Sequence, residues 1–129
     1  MSQRTQRIAD QIQRDLSDMI RLGLKDPRLG MVTISSVKVS SDMGYADVYV
    51  TVLGATLEEK PDASLAVLNG AAGFLRSELG RALKLRMIPR LRFHFDEVTA
   101  RGNRMAALIN TAVSEDRERA SARGDDADA

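Results

Sequence analysis

Apolar positions near the start of the chain recur with helical spacing. Ile8, Ile12, Leu16, Met19 and Ile20 fall on one stripe across residues 5–22, which predicts an amphipathic helix buried along that side. Arg7, Arg14 and Arg21 lie on another face, with Asp10 and Asp18 each four positions from Arg14, the spacing of helical ion pairs. Gly23 and then Asp26-Pro27 end the pattern, because a residue preceding proline avoids helical backbone. Lys25-Asp26-Pro27-Arg28-Leu29-Gly30 reads as a turn.

The period then changes to two. Over residues 31–40, Val32 and Ile34 alternate in one phase and Val37 and Val39 in the other, so a bulge near Ser35-Ser36 is expected. The polar turn Ser41-Asp42-Met43-Gly44 leads to a second strand, with Ala46, Val48, Val50 and Val52 on one face and Tyr45, Asp47, Tyr49 and Thr51 on the other. So short a link predicts an antiparallel hairpin. After a loop over residues 54–62, Leu65, Leu68, Ala72, Leu75, Leu79 and Leu83 keep one helical stripe running through Gly70 and Gly73. Two helical segments meeting at a kink near Gly73 are expected. Pro89 stops that stripe, and Leu91, Phe93 and Phe95 alternate with Arg92, His94 and Asp96 as a third strand. Beyond Gly102-Asn103, the residues Met105, Leu108, Ile109, Ala112 and Val113 predict a last short helix.

These elements predict an α+β domain over residues 1–116, a three-stranded sheet with helices packed on one face. Val48, Val50, Val52, Phe93 and Phe95 should face the helices. Residues 117–129 read as a disordered acidic tail.

The chain has no cysteine, which excludes disulfides, thiolate nucleophiles and cysteine-held metals and suits a reducing compartment. The first 20 residues carry charges throughout, and the longest uncharged run, residues 63–75, is 13 residues, too short to span a bilayer. A cytoplasmic protein without a membrane partner is expected. The net charge of +1 hides an asymmetry, since Arg76, Arg81, Lys84, Arg86, Arg90 and Arg92 face Glu78 alone between residues 76 and 92. Such a concentration suits a polyanion.

No catalytic constellation emerges. His94 is the sole histidine, and with Asp96 and Glu97 it makes a weak metal set on alternating faces. Met19, Met31 and Met105 suit core or edge packing. Tyr45 and Tyr49 share one strand face, where they either pack on the sheet or stack on bases. No enzyme, no cofactor, no metal and no small-molecule substrate are expected.

The order αββααβ is that of type II KH domains, which bind single-stranded RNA. Four segments narrow the match: residues 25–31 (KDPRLGM), 45–51 (YADVYVT), 71–80 (AAGFLRSELG) with 85–91 (LRMIPRL), and 93–96 (FHFD) followed by 102–105 (GNRM). Together they resemble the ribosome-binding factor A family over roughly residues 3–115. Gly70-Ala71-Ala72-Gly73 spells the GxxG of ordinary KH domains, which clamps an RNA backbone. The family instead joins its central helices through an Ala-x-Gly kink, here Ala71 to Gly73, and the unbroken leucine stripe agrees with a kink.

The resemblance implies a factor that binds 16S ribosomal RNA in the 30S subunit and assists late assembly and 5′-end processing; a monomer is the default expectation. Its expected RNA contacts are Arg76, Arg81 and Lys84 on the second central helix, Arg86, Arg90 and Arg92 continuing onto the third strand, and Lys25 and Arg28 in the first turn. A module docking an acidic protein stays open as an alternative.

Overall fold

The computed structural model describes residues 3–122. Its elements are α1 (Gln3–Gly23), β1 (Val32–Val39), β2 (Tyr45–Val52), α2 (Asp62–Gly70), α3 (Ala72–Leu83), β3 (Arg90–Phe95) and α4 (Glu97–Ala122). They form two compact units that part between Asp96 and Glu97.

In the first unit the strands lie in the order β1-β2-β3, β1 antiparallel to β2 and β2 parallel to β3. The hairpin register runs from Val32 opposite Val52 to Val39 opposite Ala46, and it slips between Ile34 and Ser36. Ser35 is thus the extra residue that lets Ile34, Val37 and Val39 all point into the core. The parallel pairing requires a crossover, supplied by α2 and α3. Ile12 and Leu16 of α1, Val48 and Val50 of β2, and Leu68, Leu75 and Leu79 of α2 and α3 are fully buried. Leu91 and Phe93 complete the layer from β3. The α+β fold with one helix-covered face is as the hydrophobic periods predict.

Burial here removes apolar area from water at roughly 25 cal/mol per Å², and the polar groups it traps are matched. Ser64 Oγ, buried under the first turn, donates to Leu29 O at 2.6 Å. Gly30 in that turn has φ +70°, and a Cβ there would meet Val52 Cγ1 at 3.3 Å, so a larger residue would be both strained and crowded. Asn69 closes the outer edge of β3. Its amide donates to Phe93 O at 3.2 Å and accepts from the Phe93 N–H at 3.0 Å, pairing an edge strand that would otherwise be open.

The helix break falls at Ala71, with φ −92° and ψ 2°, the first residue of the expected Ala71–Gly73 kink. Gly73 lies in the first turn of α3. The Ala71 N–H still reaches Val67 O and Leu68 O, and Ala71 O accepts from the Leu75 N–H. A single residue bends the chain and leaves both Leu68 and Leu75 buried. The Gly70–Gly73 segment therefore projects no clamp loop.

The second unit corrects the C-terminal reading. A long helix of 26 residues starts at Glu97 and runs to Ala122, where a short helix after Gly102-Asn103 and a disordered stretch from residue 117 were expected. One glycine costs a helix about 1 kcal/mol. Ala100, Arg101, Arg104, Met105, Ala106, Ala107 and Leu108 around it are strong helix formers, and they outweigh it. The expected boundary at 116/117 falls inside α4, and the rest of the expected tail, residues 123–129, lies outside the described residues. Met31 and Met105, expected to pack, are exposed, whereas Met19 does pack against the core. No described helix is long and apolar enough to cross a membrane.

Candidate nucleic-acid interface

The leucine stripe of α3 points into the core, which turns the basic residues of that helix outward. Arg76 and Arg81 are exposed on α3, Lys84 caps its C-terminus, and Arg86 is exposed in the loop leading to β3. Lys84 adopts φ 52° and ψ 35°, the left-handed conformation that ends many helices and usually falls to glycine. Lys84 and Arg86 form no ion pair among the described residues.

Arg76 has a further task that no sequence pattern signalled. Its Nε and Nη2 both donate to Ile88 O, at 3.1 and 2.9 Å. This brace ties the loop of residues 84–89 back onto α3, so Arg76 positions Lys84 and Arg86. Arg81 pairs with Glu78 at 2.9 Å. That pair is exposed on the arginine side and contributes little to stability, leaving the guanidinium available to a stronger anion.

Lys25 and Arg28 stand at the other end of α3. The first turn and the α2–α3 bend line a shallow depression of about 400 Å³, in which Lys25, Asp26 and Arg28 face Gly70 and Ala71. Arg28 is clamped by both oxygens of Asp26, at 3.2 and 2.9 Å. The Arg28 guanidinium holds the Asp26 carboxyl below its usual range. The two cationic groups are separated by the length of a 12-residue helix, about 18 Å at 1.5 Å per residue.

Arg90 and Arg92 were expected to continue the helix patch. Burial alternates along β3, with Leu91 and Phe93 inward and Arg90 and Arg92 outward, so the sheet itself separates them from α3. They belong to its open face. There Arg92 forks onto Asp47, Nε to Oδ1 at 2.8 Å and Nη2 to Oδ2 at 3.1 Å, and its guanidinium lies 4.0 Å from the Tyr45 ring centre. His94 Nε2 meets Asp47 Oδ1 at 2.8 Å, and its ring stacks against Tyr49 at 5.2 Å. Burial pushes the Asp47 carboxyl up, and the hydrogen bonds from Arg92 and His94 outweigh that, holding it below the usual carboxylate range. Among the described residues no cluster of three or more His, Cys, Asp or Glu could hold a metal ion.

Cations thus stand exposed at both ends of one helix, an arrangement whose summed field attracts anions. Comparison with known proteins shows the family. The family model for ribosome-binding factor A matches residues 4–109. A ribosome-binding factor A of a Psychrobacter species is 60% identical over 134 residues, covering 99% of this chain and 94% of that protein. The crystal structure of ribosome-binding factor A from Thermus thermophilus superposes with a TM-score of 0.63 at 30% identity, over 70% of this chain and 93% of that one. The Thermus thermophilus factor as fitted into a cryo-EM map of a 30S complex superposes with a TM-score of 0.56 at 32% identity, over 66% and 87% of the two chains. On sequence and fold together, the chain belongs to the ribosome-binding factor A family.

Proposed function

We propose that this chain binds the 30S ribosomal subunit through its 16S ribosomal RNA, assists late assembly and 5′-end processing, and catalyses no reaction itself. The observation that carries this reading is the cationic end of α3, where Arg81 projects from the helix and Lys84 and Arg86 from the loop braced by Arg76. Lys25 and Arg28 would add a second contact at the bend, and Arg90 and Arg92 a third on the sheet. The relative fitted into a 30S complex supports the choice of subunit. Arginine's planar fork suits bidentate contact with phosphate, and counterion release would supply most of the affinity. The protein would act as a monomer in the cytoplasm, without a cofactor. His94, the one histidine, is held by Asp47 and Tyr49, which argues for a structural imidazole rather than a general base.

Sedimentation of the purified chain with free 30S subunits, complete ribosomes and protein-free 16S RNA tests the reading. Co-pelleting with subunits and with naked RNA, and less with complete ribosomes, is the expected result. Pelleting with subunits but never with naked RNA would transfer the interaction to an acidic protein partner.

A further inference from the structure

The open face of the sheet is built differently from the helical side. A solvent-facing sheet of this size is ordinarily a scatter of threonine, lysine and glutamate. Here the register lines up planar groups across adjacent strands. Lys38, Asp47 and Arg92 form one row, and Tyr49 and His94 the next, while Tyr45 lies opposite Arg90. Two stacked units result. Arg92, held by its fork to Asp47, sits over the Tyr45 ring with its guanidinium carbon 4.0 Å from the ring centre. His94, anchored by the same carboxylate, stacks on Tyr49 with the rings 30° apart, while Lys38 Nζ stands 5.8 Å from the centre of that ring.

We propose that this face is a second RNA-binding surface, taking a single-stranded segment whose unpaired bases stack on the Tyr45–Arg92 and Tyr49–His94 units. The inference rests on the ribosomal RNA reading above and assigns it a separate surface. Guanidinium, imidazole and phenol rings all present planes on which any base can stack, at about 1–3 kcal/mol per base, and a sheet carrying such rings is an established way to hold unpaired bases. A duplex keeps its base faces buried within its own stack, so it cannot use these planes. Lys38 on β1 and Arg90 at the start of β3 stand at opposite sides of the aromatic groups, where a backbone crossing the strands would place phosphates. The acids of this face are committed: Asp47 to Arg92 and His94, and Asp96 to Ser35 Oγ. Thr33, Ser35, Ser36 and Thr51 fill the remaining outward positions of the hairpin, so the face offers no apolar patch to a protein partner.

The test uses the full chain with single-stranded oligo(A) and oligo(U), their annealed duplex, and 30S subunits. Tyr45→Val with Tyr49→Val keeps strand-forming residues at both positions. It should weaken single-strand binding by about tenfold or more and leave duplex binding unchanged. Tyr45→Phe with Tyr49→Phe should restore the single-strand affinity, because it keeps both rings. Ultraviolet crosslinking of the unaltered chain to oligo(U) should mark the peptides containing Tyr45 or Tyr49, a readout that does not require the variants to fold. Crosslinks confined to α3, or unchanged single-strand affinity in a folded valine variant, would overturn the proposal. A chain that binds 30S subunits but no single strand removes this inference alone. One that binds neither subunits nor RNA removes the functional reading as well.

Discussion

Replacing Arg81 and Arg86 by Ala and Lys84 by Gly is expected to remove a large part of the salt-sensitive 30S binding while the protein stays folded. Each lost phosphate contact lowers the slope of log affinity against log salt by roughly 0.7–0.9, so three should flatten it by about 2–3. The choice of residues follows from the geometry. Arg76 is left intact because its two hydrogen bonds to Ile88 O hold the loop, and its removal would confuse a lost contact with a displaced one. Lys84 is changed to Gly because its backbone is left-handed, a conformation that costs a side-chain-bearing residue about 1–2 kcal/mol. The variant should therefore be as stable as the parent, or more so. Fluorescence titration with 30S subunits over a range of potassium chloride, beside thermal unfolding, separates the two effects. A binding loss without loss of stability cannot be attributed to misfolding.

The second large effect concerns the scaffold. Leu75→Ala is expected to cost about 3–5 kcal/mol, a large share of the 5–15 kcal/mol that holds a typical small domain together. Leu75 is fully buried in the first turn of α3, immediately after the bend at Ala71 whose carbonyl its N–H engages. A cavity there loosens the helix that presents the cationic end, so 30S affinity should fall along with stability. Denaturant unfolding should show a lower midpoint for the alanine variant, and Leu75→Met, which nearly conserves volume, should lose less than about 1.5 kcal/mol. Equal losses in the two variants would mean that the site is not packed as described.

Much of this architecture was legible in the sequence because it follows from period and punctuation. The phase change between Ile34 and Val37 predicted the bulge at Ser35, and the leucine stripe through Gly70 and Gly73 predicted a bend rather than a loop. Charge density predicted cations on α3, since an inward leucine stripe forces its other residues outward. What stayed hidden depends on contacts between residues distant in the chain. Arg76 and Ile88 are 12 positions apart, Arg92 and Asp47 are 45 apart, and no spacing rule connects them. Strand alternation did predict that Arg92 points away from Leu91, yet charge counting merged it and Arg90 with α3, because a linear count ignores which side of a sheet each residue occupies. The C-terminal helix exceeds its expected length because Gly102-Asn103 marks a boundary by local propensity, while the helix formers on both sides carry the backbone through it.

The central claim, that the α3 side of the molecule faces ribosomal RNA, can be measured by directed cleavage. The chain contains no cysteine, so a single introduced one carries an iron chelate at a known place. Ser77→Cys puts it on the exposed side of α3, four residues before Arg81, and Ser17→Cys puts it on α1 beside β1, at the sheet edge opposite β3. Hydroxyl radicals generated in the 30S complex should cut 16S RNA strongly from position 77 and weakly or not at all from position 17. Strong cleavage from position 17 with none from position 77 would contradict the account.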